Sequence, residues 1–136
     1  MDCIFCKIVK GEIPSYKIYE DEYVVAFLDI HPLTKGHLLV VPKKHYRRVS
    51  EMNKEDLIGF SLGLQKVLKA VENVISTDYN IIVNQGKKAN QEIEHLHVHV
   101  IPRYGKEKIF NWKSGNLDDN EAKELVNKFK NFLERF

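Results

Sequence analysis

The stretch EHLHVHVIPRY, Glu94 to Tyr104, decides how this chain is read. Apolar and β-branched residues dominate it, so it reads as a strand, and histidine fills three alternate positions, 95, 97 and 99. Side chains alternate across a strand. His95, His97 and His99 therefore share one face at steps of roughly 6.8 Å, while Leu96, Val98 and Val100 fill the other. The second face is suited to packing and the first to chemistry. A single strand histidine is more often a core or edge residue than a functional one. Here three of the six histidines in the chain stand in register, pinned by apolar neighbours, which weakens that account.

Two chemistries fit three imidazoles in a row. An H-x-H pair on a strand can offer two nitrogens to one catalytic metal ion, which then needs a third ligand and an open position. Alternatively, a neutral imidazole attacks an electrophilic phosphorus while its neighbours hold the oxyanion or protonate the leaving group. An unperturbed histidine is mostly neutral at pH 7, and protonated neighbours depress its pKa further, so such a nucleophile needs no extra base. Spacing does not choose between them.

Outward from this strand, YNIIVNQ (79–85), HLLVVP (37–42), YVVAFLDI (23–30) and SYKIYE (15–20) read as four more strands, the last two forming a hairpin around Asp21-Glu22. HPLTKG (31–36) and GKKANQ (86–91) are loops. Asn53 is the expected N-cap of the main helix, with Asp56 at N3, and Leu57, Leu64, Leu68, Val71 and Ile75 recur at helical spacing. Gly59 and Gly63, one turn apart, cost helix propensity, and close packing against a strand or a second subunit would explain them. A second amphipathic helix carries Ala122, Leu125, Val126, Phe129, Phe132, Leu133 and Phe136. Strands joined by hairpins and loops, with the helices apart from them, predict α+β with an antiparallel sheet rather than βαβ units.

At 136 residues the chain has the size of one domain (1–136), and 29% charged residues with a net charge of +2 are ordinary for a globular protein. That balance does not point to nucleic acid, although Lys43, Lys44, Arg47, Arg48, Lys87 and Lys88 form two basic clusters. No stretch approaches the roughly 20 apolar residues of a membrane span and no signal-like run opens the chain, so neither membrane nor nucleic acid is expected as a partner, and a cytoplasmic location is. Cys3 and Cys6 form one C-x-x-C pair. In a reducing compartment this suggests metal binding, redox chemistry or two incidental thiols.

The run His95-Leu96-His97-Val98-His99-Val100-Ile101 resembles the signature of the histidine triad (HIT) family of nucleotide hydrolases and transferases. CIFCKIVKGEIPSYKIYEDEYVVAFLDI (3–30), TKGHLLVVPKKH (34–45), IIVNQG (81–86) and NQEIEHLHVHVIPRY (90–104) follow in the order of that family, with most likeness to its Hint branch. The resemblance covers about residues 2–104 and leaves 105–136 as an extension. It implies a HIT-like fold with a five-stranded antiparallel sheet, one main helix and a C-terminal helix.

Carried over position by position, the resemblance implies that His97 is the nucleophile, forming a nucleotidyl-histidine intermediate at the α-phosphorus that water then cleaves. His99 would contact phosphate or the leaving group and act as general acid beside Asn84. Asp29 would bind the ribose hydroxyls; Ile13, Phe27 and Ile30 would wall the base; and backbone groups of Gln91, Glu92 and Ile93 would cradle phosphate, with Lys87 and Lys88 adding positive potential. His37 would support the site through a hydrogen bond. Family members with an N-terminal C-x-x-C imply a structural zinc held by Cys3, Cys6, His45 and His95, with no catalytic metal, and the family also implies a homodimer joined through sheet edges.

Asn90-Gln91-Glu92 departs from the glycine and serine usual in the Hint branch, and a carboxylate there must point away from phosphate. Asn84, where the Fhit branch typically has glutamine, makes the resemblance imply a purine nucleoside phosphoramidate or monophosphate derivative rather than a dinucleoside polyphosphate. The alternatives are a dinucleoside polyphosphate hydrolase, a metal-dependent phosphoesterase using the H-x-H pair, and a non-catalytic nucleotide-binding module.

Overall fold

In the computed structural model, which describes residues 3–110 and 112–136, the chain runs α1 (Ile4–Val9), β1 (Lys17–Glu20), β2 (Val24–Leu28), β3 (Leu38–Pro42), α2 (Lys54–Val74), β4 (Tyr79–Ile82), β5 (Val98–Pro102) and α3 (Asp119–Leu133). Residue 2, where the expected core begins, lies outside the described residues. The five strands make one antiparallel sheet in the order β1-β2-β3-β5-β4. The expected hairpin closes through Asp21, whose Oδ1 accepts the backbone N–H groups of Tyr23 at 2.7 Å and Val24 at 2.9 Å. The aspartate side chain thus stands in for a strand partner where the chain reverses.

Alternation gives the sheet two different faces. Val24, Ala26, Leu38, Val40, Val98 and Val100 pack on Phe60, Val67 and Val71 of α2. Val25, Phe27, Leu39 and Val41 pack on Phe5 and Ile8 of α1. His99 pairs with Leu39 and so faces the α1 side. Helix α1 is absent from the sequence reading, because six residues hold too short a period to register.

Asn53 caps α2 as expected, its side chain accepting the Asp56 N–H at 2.8 Å. The apolar stripe is rotated from the expected one: Phe60, Val67 and Val71 carry the contact, Leu64 and Leu68 border it, and Leu57 and Ile75 are exposed. The glycines explain the rotation. A Cβ on Gly59 would lie 2.2 Å from the Tyr23 ring, and one on Gly63 would lie 2.6 Å from Val24 Cγ2. The face of closest approach is therefore centred on residues without side chains, which an apolar periodicity cannot count. Gly36, at φ +85°, makes the left-handed turn that feeds His37 into β3.

Candidate active site

The triad straddles the start of β5. His99 is within the strand, whereas His95 and His97 lie in the segment just before it, so the strand is shorter than the sequence pattern suggests. The alternation nevertheless persists, and all three rings meet the α1 side. That face is covered rather than open. Phe5 of α1 lies edge-on to His95 and His97, with ring centroids 5.9 and 5.1 Å away, leaving His95 fully buried and His97 8% exposed.

Burial obliges each ring nitrogen to find a partner, and the partners fix the protons. His97 Nδ1 lies 2.8 Å from the carbonyl oxygen of His95. A carbonyl only accepts, so Nδ1 carries the proton and Nε2 keeps a free lone pair. His97 and His99 are neighbours, with ring centroids 5.0 Å apart. His37 Nδ1 accepts the Leu33 N–H at 3.0 Å, which puts the His37 proton on Nε2. From there it donates to His99 Nδ1 at 3.0 Å, with Asp29 Oδ2 3.5 Å away. His99 must then carry its own proton on Nε2. A chain of three hydrogen-bonded groups beginning at a backbone amide thus leaves one ring with a nucleophilic nitrogen and its neighbour with an N–H donor.

Burial holds the His99 pKa down at about 4, with His97 and His37 adding like-charge repulsion and Asp29 opposing it. His37 is lowered too, by burial, with Asp29 again opposing. Each of these rings is neutral near pH 7, and an arriving phosphate anion would favour protonation of His99.

A second constellation adjoins the first. Cys3 Sγ and Cys6 Sγ lie 3.4 and 3.5 Å from His95 Nδ1, and Cys6 Sγ lies 3.2 Å from His45 Nδ1. A tetrahedral ion with Zn–S near 2.3 Å and Zn–N near 2.1 Å has sulfur-to-nitrogen edges of roughly 3.6 Å, so the four residues fit one. The proton inventory fits as well. His95 Nε2 donates to the Pro42 carbonyl at 2.9 Å, which turns the lone pair of Nδ1 toward the sulfurs. Without a cation, burial and the Cys3 thiol push the Cys6 pKa up. Asp29, His37 and His99 also converge, but His37 Nε2 bears a proton held by the Leu33 contact, so it has no lone pair for a metal. Nor do His95 and His97 offer one ion two nitrogens as an H-x-H pair, since His95 turns its free nitrogen to the cysteines.

The remaining expected residues fall into two groups. Asp29, half-buried, lies beside His37, and its Oδ1 also accepts the His31 N–H at 2.8 Å, so one oxygen closes a turn while the other faces the His37 ring. Phe27 packs against Phe5, and Ile13 and Ile93 border the same cluster, whereas Ile30 is exposed. Ile82 pairs with His99 at the last rung of the β4–β5 ladder, and Asn84 follows two residues beyond it. Gln91 is occupied otherwise: its Oε1 accepts the Gly86 N–H at 2.8 Å, its Nε2 donates to the Arg47 carbonyl at 3.0 Å, and its own N–H donates to the Gly86 carbonyl. It braces the loop. Glu92 is exposed and, with Lys87, Ile93, Glu94 and His45, lines an open cavity of about 600 Å³. Phe5 and the backbone groups of Leu33 and Pro42 were missed. Main-chain partners leave no mark in residue identity, and Phe5 reads as an ordinary apolar residue.

Fold and site together define a protein that presents a buried imidazole whose Nδ1 is tied to a carbonyl, beside a second imidazole held by a third. The HIT domain profile matches residues 10–106, and the chain belongs to the HIT family. It is 40% identical over 127 residues to the adenosine 5'-monophosphoramidase hnt1 of Schizosaccharomyces pombe, covering 92% of this chain and 93% of that one, which places it with the Hint branch. A HIT-family crystal structure from Bacillus subtilis superposes with a TM-score of 0.88 at 40% identity, covering 100% of this chain and 98% of that one. A Leishmania major protein superposes at 0.87 with 34% identity, covering 99 and 98%. A Zn-bound histidine triad protein from Mycobacterium smegmatis superposes at 0.72 with 34% identity, covering 99 and 97%.

Proposed function

We propose that this chain is a nucleotide hydrolase that cleaves a purine nucleoside phosphoramidate, or a related nucleotide, at its α-phosphorus through a covalent intermediate on His97. The observation that carries the reading is the 2.8 Å hydrogen bond from His97 Nδ1 to the His95 carbonyl, which in the neutral tautomer puts the lone pair on Nε2. The Nε2 lone pair attacks phosphorus, the bond to the leaving amine breaks, and the amine takes the Nε2 proton of His99 in the imidazolium form that the bound phosphate favours, which returns His99 to the neutral ring. Water then attacks the phosphorus, releasing the monophosphate and restoring the imidazole, while its proton returns to His99. His37 aims His99; Asp29 accepts from ribose hydroxyls; Asn84 and the backbone N–H groups of Glu92 and Ile93 hold the phosphate; and Ile13, Phe27 and Ile30 border the base. The resemblance of the chain to a monophosphoramidase at 40% identity supports this substrate class.

Cys3, Cys6, His45 and His95 would hold structural zinc, for which their spacing and the Zn-bound relative speak. When bound, the ion ties the N-terminal segment to the residue whose carbonyl orients His97. The working form is a cytoplasmic homodimer that uses neither nucleic acid nor membrane. Among the described residues, no helix is long and apolar enough to cross a membrane.

The test is turnover of an adenosine phosphoramidate and of a dinucleoside polyphosphate by wild type and His97→Ala, with mass spectrometry of acid-free quenches. Expected are faster cleavage of the phosphoramidate, a nucleotidyl adduct on His97, and a loss of at least about a thousandfold in the variant. Equal rates in the two proteins would refute the assignment. Preferential cleavage of the polyphosphate would move the chain to the dinucleoside reading, and binding without turnover would favour a non-catalytic module.

A further inference from the structure

Helix α3 is made for a surface that its own chain does not supply. Asp118 caps it, accepting the Glu121 N–H at 3.0 Å, and an exposed Lys123–Asp119 pair adds a second local contact. Such contacts contribute only tenths of a kcal/mol to about one, and an isolated helix of about 15 residues is marginal in water. Yet α3 buries none of its side chains. Leu125, Phe129, Phe132 and Phe136 fall along one stripe and are between 42 and 89% exposed, as are Val126 and Leu133 beside them. The stripe presents on the order of 600 Å² of apolar surface, more than a soluble monomer usually leaves in one patch.

A whole-chain fit that takes in this helix recurs. The superpositions on the Bacillus subtilis and Leishmania major structures run through 100 and 99% of the chain, α3 included, at TM-scores of 0.88 and 0.87. A helix held by nothing would not keep one orientation across proteins only 34 to 40% identical. What covers it must be available to a bacterial and a protozoan protein alike, and each is certain to meet another copy of itself. The body offers a matching patch. Ile58 and Leu62, one turn apart on the side of α2 facing away from the sheet, are 50 and 57% exposed. Residues 112–118, exposed and without regular structure, tether α3. Exchange of two such arms, with the surfaces they cover, approaches the roughly 1,600 Å² of a standard stable interface.

We propose that α3 is an exchanged arm, its aromatic stripe docking on the outer face of α2 in a second copy of this chain. This rests on the homodimer proposed above and assigns the surface that holds it. Reciprocal exchange closes the assembly at two protomers with a twofold axis, so it forms no filament.

The test pairs light scattering at micromolar concentration with photo-crosslinking. Wild type has the dimer mass; Phe129→Glu/Phe132→Glu runs as a monomer and loses helical circular dichroism equivalent to about one 15-residue helix. Lys123→Ala, on the polar side, stays dimeric. A photoreactive benzoylphenylalanine at position 129 of the otherwise unchanged chain yields a doubled mass joined to the peptide containing Ile58 and Leu62. This arm decides the question even if the double variant is insoluble. A monomeric wild type would overturn both the dimer and the arm. A double variant as dimeric as wild type, or crosslinks confined to one chain, would overturn the arm and leave the dimer to the sheet edges.

Discussion

The neutral state of His99 has a thermodynamic signature. Its pKa stands near 4 in the folded chain, chiefly through burial, against about 6.5 when unfolded. Between these values the unfolded chain binds a proton that the folded chain refuses, so stability rises with pH. The contribution is complete above about pH 6.5, is lost as pH falls through the window, and is gone below about pH 4. A gap of about 2.5 units corresponds to roughly 3 kcal/mol, of which about 2 kcal/mol has disappeared by pH 5. His99→Asn keeps an acceptor for His37 Nε2 at the place of Nδ1 but does not titrate. Urea unfolding at pH 7.5 and pH 5.0 supplies the measurement, and taking the difference between proteins cancels other titrations, His95 among them. Wild type should lose about 2 kcal/mol more than the variant. Equal losses would show that His99 is not desolvated, and the hydrogen-bonded order Leu33, His37, His99 would fall with it.

Three further outcomes follow from the same geometry. Gly63→Ala gains about 1 kcal/mol of helix propensity but forces a methyl to 2.6 Å from the immobile Val24, so urea unfolding should show a net loss of about 1 to 2 kcal/mol, and a stabilised variant would contradict the close packing of α2. Cys3→Ser/Cys6→Ser should lower zinc content by atomic absorption from about one ion per chain to near none and reduce the melting temperature; equal content in both proteins would remove the metal assignment. His37→Ala should slow an alkylamine phosphoramidate at least about tenfold while sparing a nitrophenyl ester, because only the poor leaving group needs the aligned proton of His99. Equal slowing of both substrates would mark a merely structural loss.

The sequence alone specified most of the scaffold because its signals are local. Alternation around 98–102, the continuous apolar run of 38–42, the Asp21 turn and the Asn53 cap each act within a few residues, and each forms. The triad and the Cys/His positions were legible for a related reason: their chemistry is carried by residue types too rare to recur by accident in that pattern. Tertiary structure alone decided what the rings do. The proton on His97 is set by a carbonyl two residues away, and that on His99 by a backbone amide at Leu33, transmitted through a ring 62 positions distant in sequence. Main-chain groups are the same at every position, so no sequence pattern can announce which one a histidine will meet. The face of α2 that meets the sheet was hidden likewise, because it is defined by the missing side chains of Gly59 and Gly63. Closeness of that kind becomes visible only once the strand behind the helix is in place.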